Sequence, residues 1–187
     1  MENPKIWFTS DTHFGHKNII KFSERPFSDV EEMDEVMIRR WNEVVGKDDT
    51  VYHLGDFAFL STGKLRQLIS RLNGKICLVK GNHDGPALGC EDCFEWIKDY
   101  YELTVNDEDA FRGKRLIVLL HYAMKVWNGS HHGTWHLYGH THGEMDDDEH
   151  SLSIDVGVDC HNFYPLSYQN VKDIMSKKEW IPPFAPR

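Results

Sequence analysis

The chain reads as an α/β protein, and three observations carry that reading. Short apolar runs alternate with amphipathic helical patterns along most of the 187 residues. The runs are nearly continuous in apolar character, as in strands of a sheet covered on both faces. Several of them end in Asp, Asn or His, which a core strand does not need.

The elements follow in order. KIWFTS (5–10) is a first strand. FSDVEEMDEVMIRRWNEVV (27–45) is a helix, with Ser28 as N-cap and Glu31 three residues on as its capping-box partner. Val30, Met33, Met37, Trp41 and Val44 share one face of it. DTVYHLGD (49–56) contains a second strand, and TGKLRQLISRLNG (62–74) is an amphipathic helix stopped by Asn73-Gly74. KICLVKG (75–81) is a third strand. CFEWIKDYY (93–101) is expected as a short helix before a strand at YELTV (101–105). KRLIVLLH, WHLYGH and SLSIDVGVD supply three more strands, and SYQNVKDIMSKK (167–178) is a closing helix. IPPFAPR (181–187) cannot continue a helix and reads as a tail.

Length suits a single domain spanning 1–187. No apolar stretch is long enough for a membrane helix, and the N-terminus lacks a secretory pattern. A net charge of −9 argues against an extended nucleic-acid surface, while leaving room for a small nucleotide-like substrate if cations reverse the sign locally. The four cysteines, Cys77, Cys90, Cys93 and Cys160, hold one C-x-x-C pair and no second one, and are expected as reduced thiols in a cytoplasmic protein.

The strand ends carry the chemistry. The first strand runs into Asp11-Thr12-His13, the second into Gly55-Asp56, and the third into Gly81-Asn82-His83-Asp84. LIVLL ends in His121, and WHLY in Gly139-His140-Thr141-His142. Ligands of open α/β sheets bind outside these C-terminal ends, and Asp, Asn and His side chains gathered there suit divalent metals. In D-x-H and H-x-H, residues two apart at a strand exit are expected to point to one side.

The ordered set D-x-H, G-D, G-N-H-D, H, G-H-x-H resembles that of the calcineurin-like metallophosphoesterase superfamily. The resemblance spans Asp11 to His142. It implies a four-layer α/β/β/α sandwich with two divalent metal ions at one edge. Asp11, His13, Asp56 and His142 would hold the first metal, with Asp56 bridging to the second. Asn82, His121 and His140 would complete the second site, Asn82 also facing substrate. His83 would be the catalytic imidazole beside the leaving group. The implied activity is phosphoester hydrolysis by a metal-bridging hydroxide, with the metals about 4 Å apart. Mn is the first choice of metal, with Fe, Zn, Ni or Mg as alternatives.

The protein Ser/Thr phosphatases of that superfamily extend G-D to G-D-x-x-D-R-G. Here GDFAFLSTG lacks that Asp and that Arg. The expectation is therefore a phosphodiesterase acting on a small, possibly nucleotide-like ester, with a phosphomonoesterase or a non-catalytic metal-binding scaffold as the rivals. His16, three residues past His13, is expected at the substrate pocket. His131, His132 and His136 read as substrate contacts or as a polar surface loop, His53 as a core histidine, and Arg25 as a surface arginine.

Overall fold

The computed structural model describes residues 4–183; the last four residues of the tail, 184–187, lie outside it. Two sheets form its centre. One is five-stranded, in the order β4-β3-β2-β1-β9, and the other four-stranded, β5-β6-β7-β8. The strands are β1 (Ile6–Thr9), β2 (Thr50–His53), β3 (Lys75–Val79), β4 (Trp96–Lys98), β5 (Tyr101–Asn106), β6 (Lys114–Leu119), β7 (Trp135–Tyr138), β8 (Ser153–Asp155) and β9 (Leu166–Ser167). The helices are α1 (Ile19–Phe22), α2 (Val30–Val44), α3 (Thr62–Ile69) and α4 (Tyr168–Met175). Strands β1 to β4 pair in parallel, as do β6 to β8, so their C-terminal ends collect on one side. The edge pairs β1–β9 and β5–β6 are antiparallel.

Alternation along the parallel strands sorts side chains into two cores. Trp7, Val51, Ile76 and Leu78 face α2 and α3, packing with Met33, Met37, Trp41 and Leu65. Phe8, Tyr52, Cys77 and Val79 face the other way, packing with Ile117, Leu119, Trp135 and Leu137 of the second sheet and with Val171 and Met175 of α4. Each strand of the first sheet is thus apolar on both faces, which is why the runs read as continuous. Among the described residues no helix is long and apolar enough to cross a membrane.

Three local expectations need correcting. The N-cap of α2 is Asp29, not Ser28: its carboxylate accepts from the Glu32 N–H at 2.8 Å, while the Glu32 carboxylate accepts from the Ser28 N–H at 2.8 Å. The cap sits one residue later and is an acid, and Glu32 reaches back to Ser28 and not to the N-cap N–H, so no reciprocal capping box closes. Helix α3 ends at Ile69; Ser70–Leu72 close in tighter turns before Gly74, at φ +88°. The segment 93–101 is not a helix. Gly85–Cys93 forms 3₁₀ turns and Trp96–Lys98 is a strand on the open edge of β3. An unfilled parallel edge next to one aromatic and one β-branched residue, Trp96 and Ile97, outweighs weak local helix preference. Helix α1 and strand β9, too short to show periodicity, were not anticipated.

Candidate metal centre

The loops leaving β1, β2, β3, β6 and β7 deliver Asp11 and His13, Asp56, Asn82 and His83, His121, and His140 and His142 to one place. They do not leave as extended strand. Asp11, His13, Asp56, His140 and His142 all have φ between +49° and +70°, the left-handed region. Each such non-glycine residue costs of order 1 kcal/mol or more and persists only where surrounding contacts impose it. Asp11 and His13 still reach one trio, as D-x-H predicts, but the H-x-H half of that expectation is corrected. His140 and His142 diverge, one to each half of the centre. Glycine is required beside them for space: a Cβ on Gly81 would run into Asp56, and one on Gly139 into Ser10 and Asp11.

The halves are two trios. Asp11, His13 and His142 form one, and Asp56, His121 and His140 the other; in each, one ligand atom per residue lies within 4.8 Å of the others. In the first, Asp11 Oδ1 lies 4.0 Å from His13 Nε2 and 3.9 Å from His142 Nε2. Asp56 Oδ2 stands between the halves, 3.6 Å from His13 Nε2 and 3.7 Å from His121 Nε2. Asn82 joins the second half through Oδ1, 3.2 Å from His121 Nε2.

The protein holds these groups so that one atom of each stays open to the centre. Asp11 Oδ2 accepts from the His140 N–H at 2.8 Å, and Asp56 Oδ1 from the His83 N–H at 2.9 Å. That leaves Asp11 Oδ1 and Asp56 Oδ2 facing the histidines. His121 Nδ1 lies 2.7 Å from the Leu54 carbonyl, a contact in which Nδ1 carries the proton and Nε2 the lone pair. His142 Nδ1 lies 2.7 Å from Asp159 Oδ2 and is fixed in the same sense. Asp159 is itself gripped by Arg25, at 2.7 and 2.8 Å, and Arg25 also donates to the carbonyls of Asp11 and Thr12. The Asp84 carboxylate accepts from the N–H groups of Asp56, Phe57 and Gly81, tying the turn after β2 to the turn after β3.

A metal fits what remains. Asp11 Oδ1 and both ring nitrogens of His13 are buried without a hydrogen-bond partner. An orphaned buried polar group of this kind costs about 1–3 kcal/mol, and a cation would meet Asp11 Oδ1 and the one His13 nitrogen that carries the lone pair. The protonation states divide: His13 is already in its ligating form, whereas a cation must displace a proton from Asp11 and from His142. Burial pushes the Asp11 carboxyl up to about 7, against the pull of His142. Burial, then the neighbouring His142 and Arg25, pushes His13 down to about 2, leaving a neutral imidazole ready to ligate. Burial opposes charge on His142, but the Asp159 hydrogen bond and the nearby Asp11 hold its pKa above the usual value. Burial likewise opposes charge on Asp159, and the bonds from His142 and Arg25 outweigh it.

Both halves open into a cleft of about 780 Å³. His83 is exposed at its mouth, its ring centroid 6.0 Å from that of His13 and 4.8 Å from that of Phe59. Among the described residues no side chain bonds the His83 ring; its place is set through its backbone. His16 lines the cleft, stacked on Phe59 at 3.9 Å and 13°.

Other sequence expectations resolve differently. Arg25 is buried, not on the surface, and neither it nor Asp159 was anticipated as a support of the centre. The signal lay in a lone arginine and in the Asp of DVGVD, whose meaning depends on a pairing 134 residues apart. His136 is neither a substrate contact nor part of a surface loop: it is buried in β7, bonded to the Val118 carbonyl and the Met124 N–H. His131 and His132 are exposed and line no part of the cleft. His53 is a core histidine, bonded to Thr12. All four cysteines are free, and Cys90 and Cys93 join no metal-binding group among the described residues.

The chain is similar over most of its length to known proteins from three sources. It is 33% identical over 184 residues to the uncharacterized protein MJ1445 of Methanocaldococcus jannaschii, covering 95% of this chain and 94% of that one. It is 34% identical over 182 residues to the Gene 66 protein of Mycobacterium phage L5, covering 82% and 86%. The crystal structure of the protein of unknown function AQ665 from Aquifex aeolicus shares the fold, with a TM-score of 0.71 over 92% of this chain and 100% of that one, at 24% identity. The family model for the calcineurin-like phosphoesterase superfamily domain matches residues 5–159, a span that takes in every strand-end motif and also Asp159. With that match and two trios of metal-ligand character at the strand ends, the chain belongs to the calcineurin-like phosphoesterase superfamily.

Proposed function

We propose that this protein is a two-metal phosphodiesterase. The observation that carries the diester reading is the charge of the cleft. Among its described lining residues there is no lysine or arginine, and Glu144 stands at its rim. Arg25, the nearby cation, is spent on Asp159. A monoester dianion needs more neutralisation than a diester monoanion, and this cleft offers no cationic side chain beyond the centre itself.

Asp11, His13 and His142 would hold one cation, His121, His140 and Asn82 the other, and Asp56 would serve both. When bound, such ions supply Lewis acidity toward phosphate oxygens and an acidified water. The chain does the rest. Asp56, fixed by the His83 N–H, keeps one oxygen between the two halves. Asn82 and His140, both exposed to the cleft, meet the phosphate side of the substrate. His83, at the mouth, gives a proton to the departing oxygen. The His, Asp and Asn donors suit Mn first, then Fe, Zn or Ni. The same reading places the protein in the cytoplasm as one domain, where its free thiols persist.

The test is hydrolysis of bis-p-nitrophenyl phosphate beside p-nitrophenyl phosphate, with Mn returned to metal-stripped protein. Faster turnover of the diester, lost in His83→Ala and Asp56→Asn, is expected. Faster turnover of the monoester reverses the ester preference. Turnover of neither, with two metals bound, removes the enzymatic reading.

A further inference from the structure

We infer that the wall of this cleft beside His83 is a seat for a flat aromatic group of the substrate, and specifically for a nucleobase. The inference rests on the phosphodiesterase reading, and it names the part of the substrate that reading leaves open. The cleft is asymmetric. From the two trios, His13, His142, Asp56 and His140 reach it. One wall is made by Phe22 of α1 and Phe59 from the loop after β2, joined through His16, and Ile19 of α1 and Met145 from the loop after β7 also line the cleft.

Three of these large apolar side chains are exposed: Phe22 at 69%, Met145 at 43% and Phe59 at 37%. Apolar groups gathered in one cleft, rather than scattered over the surface, mark a binding wall. Its geometry selects a planar partner. His16 and Phe59 are stacked nearly parallel, and Phe22 stands edge-on to His16, with centroids 6.3 Å apart and planes at 69°. The two arrangements make a corner with an open phenyl face, onto which a ring can slide with its edge toward His16. Met145 supplies a thioether, a good neighbour for an aromatic edge.

Position decides which part of the substrate sits there. Phe59 is 4.8 Å from His83 and 5.4 Å from His13, so the wall adjoins the leaving-group side. A phosphate on the trios would place the nucleoside on its ester oxygen against this wall. Charge agrees: a neutral base stacks on a wall that holds no cation, whereas a polyphosphate or sulfated partner would meet only Glu144. Stacking tolerates any base, so the seat favours nucleotides as a class and does not choose among them.

Binding of adenosine 5′-monophosphate and of ribose 5-phosphate to the Mn-loaded protein, by isothermal titration calorimetry, separates the base from the phosphate. The nucleotide is expected to bind about ten-fold more tightly, the scale of one stacked base. Phe22→Ala should remove that preference and leave ribose 5-phosphate affinity unchanged; Phe22→Trp should keep it. Phe22 is largely exposed and touches neither trio, so the exchange spares the fold and the centre. Equal affinity of the two probes, with bis-p-nitrophenyl phosphate hydrolysis intact, overturns the seat and leaves the phosphodiesterase reading standing. A base preference that survives Phe22→Ala also overturns it. A base preference lost in Phe22→Ala, in a protein that hydrolyses neither nitrophenyl ester, supports the seat and removes the phosphodiesterase reading instead.

Discussion

The two halves of the centre are built from similar residues but supported differently. Asp11 and His13 are buried, as are Asp56 and His121 opposite, but His142 is backed by the buried Asp159–Arg25 pair. In the other half, His140 and Asn82 are exposed to the cleft, and His121 is oriented by a neutral carbonyl. A carboxylate behind a histidine strengthens it as a ligand more than a carbonyl does. On the proposed reading the first half would retain a cation and the second would present one to substrate, with Asp56 where they meet.

That contrast can be broken most directly at the shared residue. Asp56→Asn should lower diester turnover by about a thousand-fold or more, the scale of losing a preorganised electrostatic group. Metal analysis by mass spectrometry should find fewer than two ions per chain. An unchanged count would show that the halves do not share Asp56.

Asp159→Asn sharpens the asymmetry. It keeps an acceptor for Arg25 but removes the charge behind His142. The tighter of two Mn binding steps should weaken about 10- to 100-fold, with the weaker step unmoved. If the weaker step moves instead, the assignment of tight and exchangeable halves is reversed.

Proton release reads the same difference through pH. The Asp11 carboxyl is pushed up to about 7 by burial, so below that pH it is mostly protonated and a cation must displace the proton. Titrations in buffers of different ionisation enthalpy should show more protons released at pH 6 than at pH 9. Affinity of the first half should fall by up to ten-fold per pH unit below 7.

The smallest effect concerns the wall of the first half. Asp34 accepts from the Gly15 N–H, and burial pushes its carboxyl up to about 6. A carboxyl raised in the folded state binds more protons there than in the unfolded chain. Stability therefore declines as pH rises from about 4 to about 6, and the loss persists above. Asp34→Asn keeps the acceptor and removes the charge. It should stabilise the protein at pH 8 by about 1 kcal/mol, after screening of a partly exposed site, and by little at pH 4. Thermal unfolding at both values checks this, and equal shifts would mean that the charge is not what Asp34 costs.

What could be read in advance divides along physical lines. The apolar runs of β1, β2, β3, β6 and β7 were legible because both their faces are buried. The order of Asp11, His13, Asp56, Asn82, His83, His121, His140 and His142 was legible because each follows such a run. The 93–101 segment was misread because its strand is specified by a vacant edge on β3 and by little of its own periodicity. Arg25 was misplaced on the surface, and Asp159 and Asp84 went unassigned, because their roles lie in hydrogen bonds to partners from 3 to 134 residues away.

By itself the sequence determined the α/β class, the strand ends and the inventory of ligands, since hydrophobic period and residue chemistry are local properties. The family resemblance anticipated how that inventory divides, and only the tertiary structure decided how the division is built. It separated His140 from His142 through left-handed turns, turned Arg25 inward onto Asp159, and brought Phe22, Phe59 and Met145 to one cleft. Those outcomes depend on backbone dihedrals and close approaches imposed by neighbouring strands, and no window of sequence contains them.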